Sequence, residues 1–114
     1  MSIAPIQLFV PTQLSTAAVT LYTFSPSSAS AVMTHGRLLF VNNGTTSTTV
    51  TAYDIPNGGS ANATTGFCPA QTIAAGATLQ VDVPVLGQNG TIQALSPLGT
   101  LVVAHAMDGL VYSP

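Results

Sequence analysis

The chain has 114 residues, enough for one hydrophobic core, because a second core at this length would bury too little surface to offset chain entropy. Only 4% of the residues are charged, and they are Arg37, Asp54, Asp82 and Asp108. A single basic residue cannot neutralise the several phosphates that a nucleic-acid site contacts. The composition therefore excludes a nucleic-acid partner.

Apolar stretches in this sequence are short. Ser, Thr, Asn, Gly or Pro interrupts each of them within a few positions, whereas a membrane helix needs about 20 apolar residues. We therefore expect no membrane partner. Residues 1–11, MSIAPIQLFVP, lack the basic region and apolar core of a secretory signal. We expect the protein to stay in the cytoplasm where it is made, or to leave it inside an assembly.

The shortage of charge has two explanations. Partners can cover the surface permanently, in which case charges would be costly to desolvate, or hydroxyl and amide groups can keep the surface wet. We expect both to apply.

Strand patterns recur about every 8 to 12 residues, separated by turn residues. They predict an all-β fold, a single antiparallel β-sandwich of jelly-roll-like or immunoglobulin-like form with roughly seven or eight strands. Residues 1–11 form an N-terminal arm or edge strand in this prediction, and residues 12–114 form the sandwich domain. The predicted strands cover 6–10, 18–24, 37–41, 48–55, 77–85, 91–95 and 101–107, with 110–112 as a continuation of the last.

Three local patterns give sharper expectations. Asn42-Asn43-Gly44 predicts a hairpin between the flanking strands, because Asn and Gly tolerate positive φ. Residues 56–62 should form the longest exposed loop. Alternation along 77–85 predicts that Asp82 points away from the core. The opposite face should be buried by Leu79, Val81 and Val83, with Leu21, Leu39 and Val50 as neighbours.

Several short motifs carry a resemblance to a known family. They are VPTQLS at 10–15, TLYT at 20–23, VNN at 41–43, GGSA at 58–61, QTIAAGATL at 71–79 and GTIQA at 90–94. Together they resemble a family of small tailed-bacteriophage virion structural proteins. The chain departs from the family pattern at Asn89, where a Gly-Asp-Thr triplet is common, and at Ala77, which replaces an acidic residue.

The resemblance implies a non-enzymatic role. Members of this family are β-sandwich decoration, cement or tail-associated proteins that stabilise a particle by bridging its subunits. The function we expect is therefore a bacteriophage capsid decoration or cement protein, located in the virion and assembled in the host cytoplasm. Its partners would be the major capsid protein, or neck and tail proteins if it belongs to the neck, tail or baseplate.

We also expect a homo-oligomer, with a trimer as the favoured form, because a monomer this poor in charge would leave edge strands unprotected. The candidate interface lies in the N-terminal segment and consists of Ile3, Ile6, Leu8, Phe9 and Val10. This segment either crosses to a neighbouring subunit or forms the first strand of its own sandwich.

The sequence contains no pattern typical of catalysis, and we expect no catalytic, cofactor or metal site. His35 and His105 have no metal-ligand spacing with an acid or cysteine. A histidine at a subunit contact would make assembly sensitive to pH. Cys68, between Phe67 and Pro69, should be a buried and unreactive thiol.

A lectin-like carbohydrate-binding module is the alternative from a different class, with Tyr53, Asn57 and Asn62 as its candidate residues. Three sequons begin at Asn43, Asn62 and Asn89, and we interpret all three as turns because no secretory signal accompanies them.

Overall fold

The computed structural model describes residues 2–26 and 30–113, without the side chain of Ser2. Within them the chain forms nine strands: β1 Ser2–Pro5, β2 Thr12–Gln13, β3 Val19–Thr23, β4 Val32–Asn42, β5 Thr48–Ile55, β6 Gly66–Ile73, β7 Thr78–Val83, β8 Thr91–Leu95 and β9 Val102–Ser113. A short 3-10 turn, Gly99–Leu101, precedes β9. The Ser25-Pro26-Ser27-Ser28 cluster, which should end the predicted strand 18–24, lies partly outside the described residues.

The strands form two antiparallel sheets that pack face to face. Sheet 1 has the order β1-β9-β4-β7, with β2 also paired to β9, and sheet 2 has the order β3-β8-β5-β6. This confirms the predicted antiparallel sandwich. No helix among the described residues is long and apolar enough to cross a membrane.

The core lies between the sheets and follows from alternation along the central strands. Leu38 and Phe40 of β4 are fully buried, and so are Val50 and Ala52 of β5, which come from the opposite sheet. Side chains at alternate positions of a strand point to the same face. The other fully buried apolar side chains include Met33, Ile92, Ala94, Val102 and Ala104.

Strand β7 follows the predicted alternation, but as an edge strand it is less buried. Val83 is buried, and Leu79 and Val81 are half-buried against the core. Asp82 points outward as predicted, whereas Leu39 was wrongly predicted as a core neighbour. Leu39 pairs with Gln80 on the outer face, because the burial alternates and places Leu38 and Phe40 inside.

The predicted hairpin at Asn42-Asn43-Gly44 is wrong. Strand β4 pairs with β7 and β9 in sheet 1, whereas β5 pairs with β6 and β8 in sheet 2. The chain turns here from one sheet to the other. The buried Asn42 side chain holds this corner: its Nδ2 donates to the carbonyl of Thr46 at 2.9 Å and to that of Ile73 at 3.1 Å, and its Oδ1 accepts from the amide of Gly44 at 2.9 Å.

The predicted first strand, 6–10, is also displaced. The strand is β1, Ser2–Pro5, and the following residues leave the sheet after the amide of Ile6 donates to the carbonyl of Gly109 at 2.8 Å. Leu8 then packs over Gly109, where a Cβ would lie 2.6 Å from Leu8 Cδ2. The absence of a side chain at Gly109 therefore lets the segment close down on the sandwich.

Strand β6 was not predicted, and β9 is longer than predicted. β6 contains Pro69 and, at Ala70, a φ of 20°, and its pairing with β5 shifts register there. β9 continues without a break between the predicted segments 101–107 and 110–112, through Asp108-Gly109, and a bulge opposite Arg37 and Leu38 absorbs one extra residue. The exposed stretch between β5 and β6 is the longest connection, as predicted.

A candidate interaction surface

The outer face of sheet 1 combines apolar side chains with most of the charge of the chain. Burial alternates along β4, so that Arg37, Leu39 and Val41 point away from the core. Cross-strand partners share a face, which adds Asp82 of β7 and Asp108 of β9, both paired with Arg37.

These charged groups form a row across three strands. Arg37 Nε lies 3.3 Å from Asp82 Oδ1, and His35 Nε2 lies 3.2 Å from Asp108 Oδ1. Three of the four charged residues therefore lie on one face. The pairs are partly exposed, so each contributes little stability to the isolated chain. Their effect is to leave the face nearly neutral.

Apolar residues flank the charged row at both ends, all on strands of sheet 1. Toward one end Leu39 and Val41 of β4 pair with His105 and Val103 of β9. Toward the other end lie Val32, Leu110 and Tyr112, with Ile3 of β1 beside them and 63% exposed. The half-buried apolar positions here are of the kind found at protein interfaces.

The outer face of sheet 2 is different in chemistry. Its outward positions on the central strands β5 and β8 are Thr49, Thr51, Tyr53, Thr91, Gln93 and Leu95, most of them polar and uncharged. Hydroxyl and amide groups keep such a face hydrated without charge. Hydroxyl and amide groups thus predominate on the outer face of sheet 2, whereas the outer face of sheet 1 combines a charged row with apolar side chains at both ends.

The five predicted interface residues of the N-terminal segment fall into three environments. Leu8 is buried in the core of its own chain, and Ile6 and Phe9 are partly buried against that core. Ile3 and Val10 are 63% and 66% exposed. In the structure, β1 pairs with β9 of the same chain. Only Ile3 and Val10 thus present most of their side chain to the surface.

The titratable side chains of the described residues are dispersed over both sheets. No group of three or more His, Cys, Asp or Glu side chains there could hold a metal ion. Cys68 is buried as predicted, and burial raises the pKa of its thiol, which lowers the fraction of reactive thiolate. Burial also raises the pKa of Asp54, which lies on β5 of sheet 2.

The residues of the lectin-like alternative lie around the loop between β5 and β6. Asn57 and Asn62 are exposed, and Tyr53 is half-buried on β5. Asn62 Oδ1 accepts from the amide of Thr64 at 2.9 Å, so part of its amide group is used in the loop's own turn. The sequons at Asn62 and Asn89 both lie in turns, and Asn89 has a φ of 58°.

Comparisons with known proteins agree with this architecture. No family profile and no curated protein matches the chain. Among solved structures, a chain from Bacillus endospore appendages, described as disulfide-linked pili, superposes with a TM-score of 0.52 at 17% identity, covering 98% of this chain and 88% of the other.

Two viral structures share the same fold. A chain of infectious bursal disease virus, Gt strain, gives a TM-score of 0.51 at 14% identity over 96% of this chain, and a chain of the T13 viral particle of that virus gives 0.52 at 12% identity. This chain spans only 32% and 30% of those viral chains. At these identities the similarity establishes a shared β-sandwich and nothing further.

Proposed function

We propose that this chain is a non-enzymatic structural protein of a bacteriophage virion, a capsid decoration or cement protein that stabilises the particle through subunit contacts. The observation that carries the proposal is the outer face of sheet 1, where half-buried apolar side chains surround a nearly self-neutralising row of charges. A subunit that is always assembled can use such a face permanently, as obligate interfaces do.

Two further observations support a structural role. The sandwich fold is shared with a chain of pili and with chains of a viral particle, and the turn motifs resemble those of small phage virion proteins. A neck, tail or baseplate position uses the same kind of contacts, and the location in the particle distinguishes it from capsid decoration. The partner of a decoration protein is the major capsid protein, and the partners of a neck, tail or baseplate component are neck or tail proteins.

Purified virions test this function directly. We expect the polypeptide in mass spectra of gradient-purified particles, at a copy number that scales with the capsid lattice, and its density on the capsid in a cryo-EM map. Density confined to the neck, tail or baseplate would replace the decoration role with the second one. Absence of the polypeptide from particles that carry all other structural proteins would overturn the proposal.

The lectin-like alternative has its own test. Saturable binding of a defined oligosaccharide by the isolated protein, abolished by Asn57→Ala, would support it. Equal signals from wild type and Asn57→Ala across a glycan array would remove it.

We propose further that copies of the chain form a closed homo-oligomer, a trimer, to which the N-terminal segment contributes contacts. Within that segment, some residues would hold the segment on its own chain and others would contact the neighbouring copy. Leu8 anchors it on Gly109, and the exposed Ile3 and Val10 are available to a neighbouring copy. The alternative in which the whole segment crosses to a neighbour carries Leu8 into that neighbour's core.

Substitutions at Leu8 and Ile3 should therefore affect different properties: the first the stability of the chain, the second its self-association. Leu8→Ala should lower the free energy of unfolding by about 2–5 kcal/mol, because it leaves a cavity in the core. Ile3→Ser should leave unfolding unchanged and weaken self-association. Circular dichroism melts measure the first effect and multi-angle light scattering the second. If Leu8→Ala leaves the melt of the isolated chain unchanged, Leu8 does not anchor the segment.

Deleting residues 1–10 separates the two arrangements of the segment. A folded chain that no longer forms the trimer after deletion supports the crossing arm, whereas loss of β structure identifies the segment as a strand of its own sandwich. A full-length protein that stays monomeric at high concentration would overturn the oligomer itself.

A further inference from the structure

We propose that the outer face of sheet 1 binds a second copy of this chain about a two-fold axis. The axis runs parallel to β4 and β9, above the outer face and over the line midway between the two strands. This inference rests on the proposed role as an assembled subunit and specifies one contact of that assembly. The contact is independent of the N-terminal segment: alone it makes a dimer, and with a trimer whose three-fold axis meets the two-fold axis at a right angle it makes a hexamer.

The geometry follows from symmetry and register. Rotation by 180° about this axis lays β4 of one copy over β9 of the other, at the same level along the strands. Each outward residue of β4 then faces the residue of the second copy that is already its register partner within the chain. Arg37 pairs with Asp108 in this register, so Arg37 of each copy faces Asp108 of the other.

The charges on this face are self-complementary under that operation. Within one chain Arg37 contacts Asp82, while Asp108 forms its ion pair with His35, which carries charge only when protonated. The row holds one cation and two carboxylates. In the two-fold contact, Asp108 of each copy gains the guanidinium of the other, which compensates the carboxylate where it is desolvated.

The apolar positions at the two extremes of the face match under the same operation, while Leu39 faces His105 and Leu110 faces His35. Val41 pairs with Val103 in the register of β4 and β9, and Val32 pairs with Tyr112. Valine therefore faces valine across the contact at one end, and valine faces tyrosine at the other. Sheets that pack face to face align their strands to within about 30°, which keeps these levels matched near the axis. On the central strands of sheet 2 the same operation would place Thr51 against Leu95 and Tyr53 against Gln93, which is no such match.

A charge-reversal pair tests the contact. Arg37→Asp alone and Asp108→Arg alone each place like charges face to face twice, so each should weaken the contact about 30-fold or more and halve the mass measured by light scattering. In a 1:1 mixture, the aspartate introduced in one variant faces the arginine introduced in the other, and the unchanged Arg37 faces the unchanged Asp108. The mixture should recover the wild-type mass, and native mass spectrometry should show the mixed species.

Two further variants complete this test: a second substitution that should disrupt the contact and a control on the other sheet. Val103→Lys adds a charge on the outer face at the apolar end and should halve the mass with an unchanged circular dichroism spectrum, which decides the question if Arg37→Asp fails to fold. Thr51→Asp adds a charge at the centre of the other sheet's outer face and should keep the wild-type mass.

The outcomes separate this contact from the proposed function. If Arg37→Asp, Asp108→Arg and Val103→Lys all keep the wild-type mass, or if the folded single variants fail to recover it on mixing, the two-fold contact is wrong while assembly through another surface stands. If the mixture recovers the mass but the protein is absent from virions, the contact stands and the virion role falls.

Discussion

Replacing Val81 by Asp is expected to destabilise the domain severely. Val81 pairs with the fully buried Leu38 and packs against the core from the edge of sheet 1. A carboxylate there would be desolvated without a cation, because Arg37 points to the opposite face. The cost should be about 4 kcal/mol or more, a large part of the roughly 5–15 kcal/mol that holds a small domain folded. Urea unfolding followed by circular dichroism measures it.

The neighbouring substitution Asp82→Asn is the matched control. The side chain of Asp82 is 74% exposed and contacts Arg37 only at the surface, so its loss should change the free energy of unfolding by less than about 1 kcal/mol. Comparable destabilisation by Val81→Asp and Asp82→Asn would mean that β7 presents the wrong face to the core.

Replacing Asn42 by Ala should lower the free energy of unfolding by about 3 kcal/mol or more, because each polar group left unpaired in the interior costs about 1–3 kcal/mol. The Asn42 side chain is fully buried and bonds the carbonyls of Thr46 and Ile73 and the amide of Gly44. These bonds join the end of β4 to the loop before β5 and to the end of β6. A fall in Tm of roughly 10 °C or more is expected in a thermal melt.

Asn43→Ala is the control in the same corner. Asn43 is exposed, and its backbone amide, which donates to the carbonyl of Leu101 at 2.8 Å, survives the substitution. Its melt should match the wild type within about 0.5 kcal/mol. An Asn42→Ala melt as stable as that of Asn43→Ala would show that the side-chain bonds of Asn42 do not hold the corner.

Strands with regular alternation and clear turn boundaries could be predicted from the sequence. β5 and β8 have the predicted bounds, and β3 lies within its predicted range. β6 could not be predicted in this way, because Pro69 and the irregular backbone at Ala70 break its pattern. The Asn-Gly turn was recognised, but local turn chemistry does not determine whether the next strand joins the same sheet or the opposite one.

The interaction surface was less accessible to sequence reasoning. The continuous apolar run 37–41 hides which of its residues point outward, and only the register of β4 assigns Leu39 to the outer face. The charged row joins positions 37, 82 and 108, which are far apart in the chain. Long-range register of this kind leaves no local pattern in the sequence.

The strand order also constrains how this protein folds. Among the strand pairs of residues 2–26 and 30–113, only β5 and β6 are neighbours in the sequence. β1, β2 and β4 all pair with β9, the last of these nine strands to be synthesised. Sheets built from such distant segments form on the order of milliseconds to seconds. Until β9 emerges, the nascent chain carries unpaired strands and almost no charge to keep them apart, which are the conditions under which partly folded chains associate.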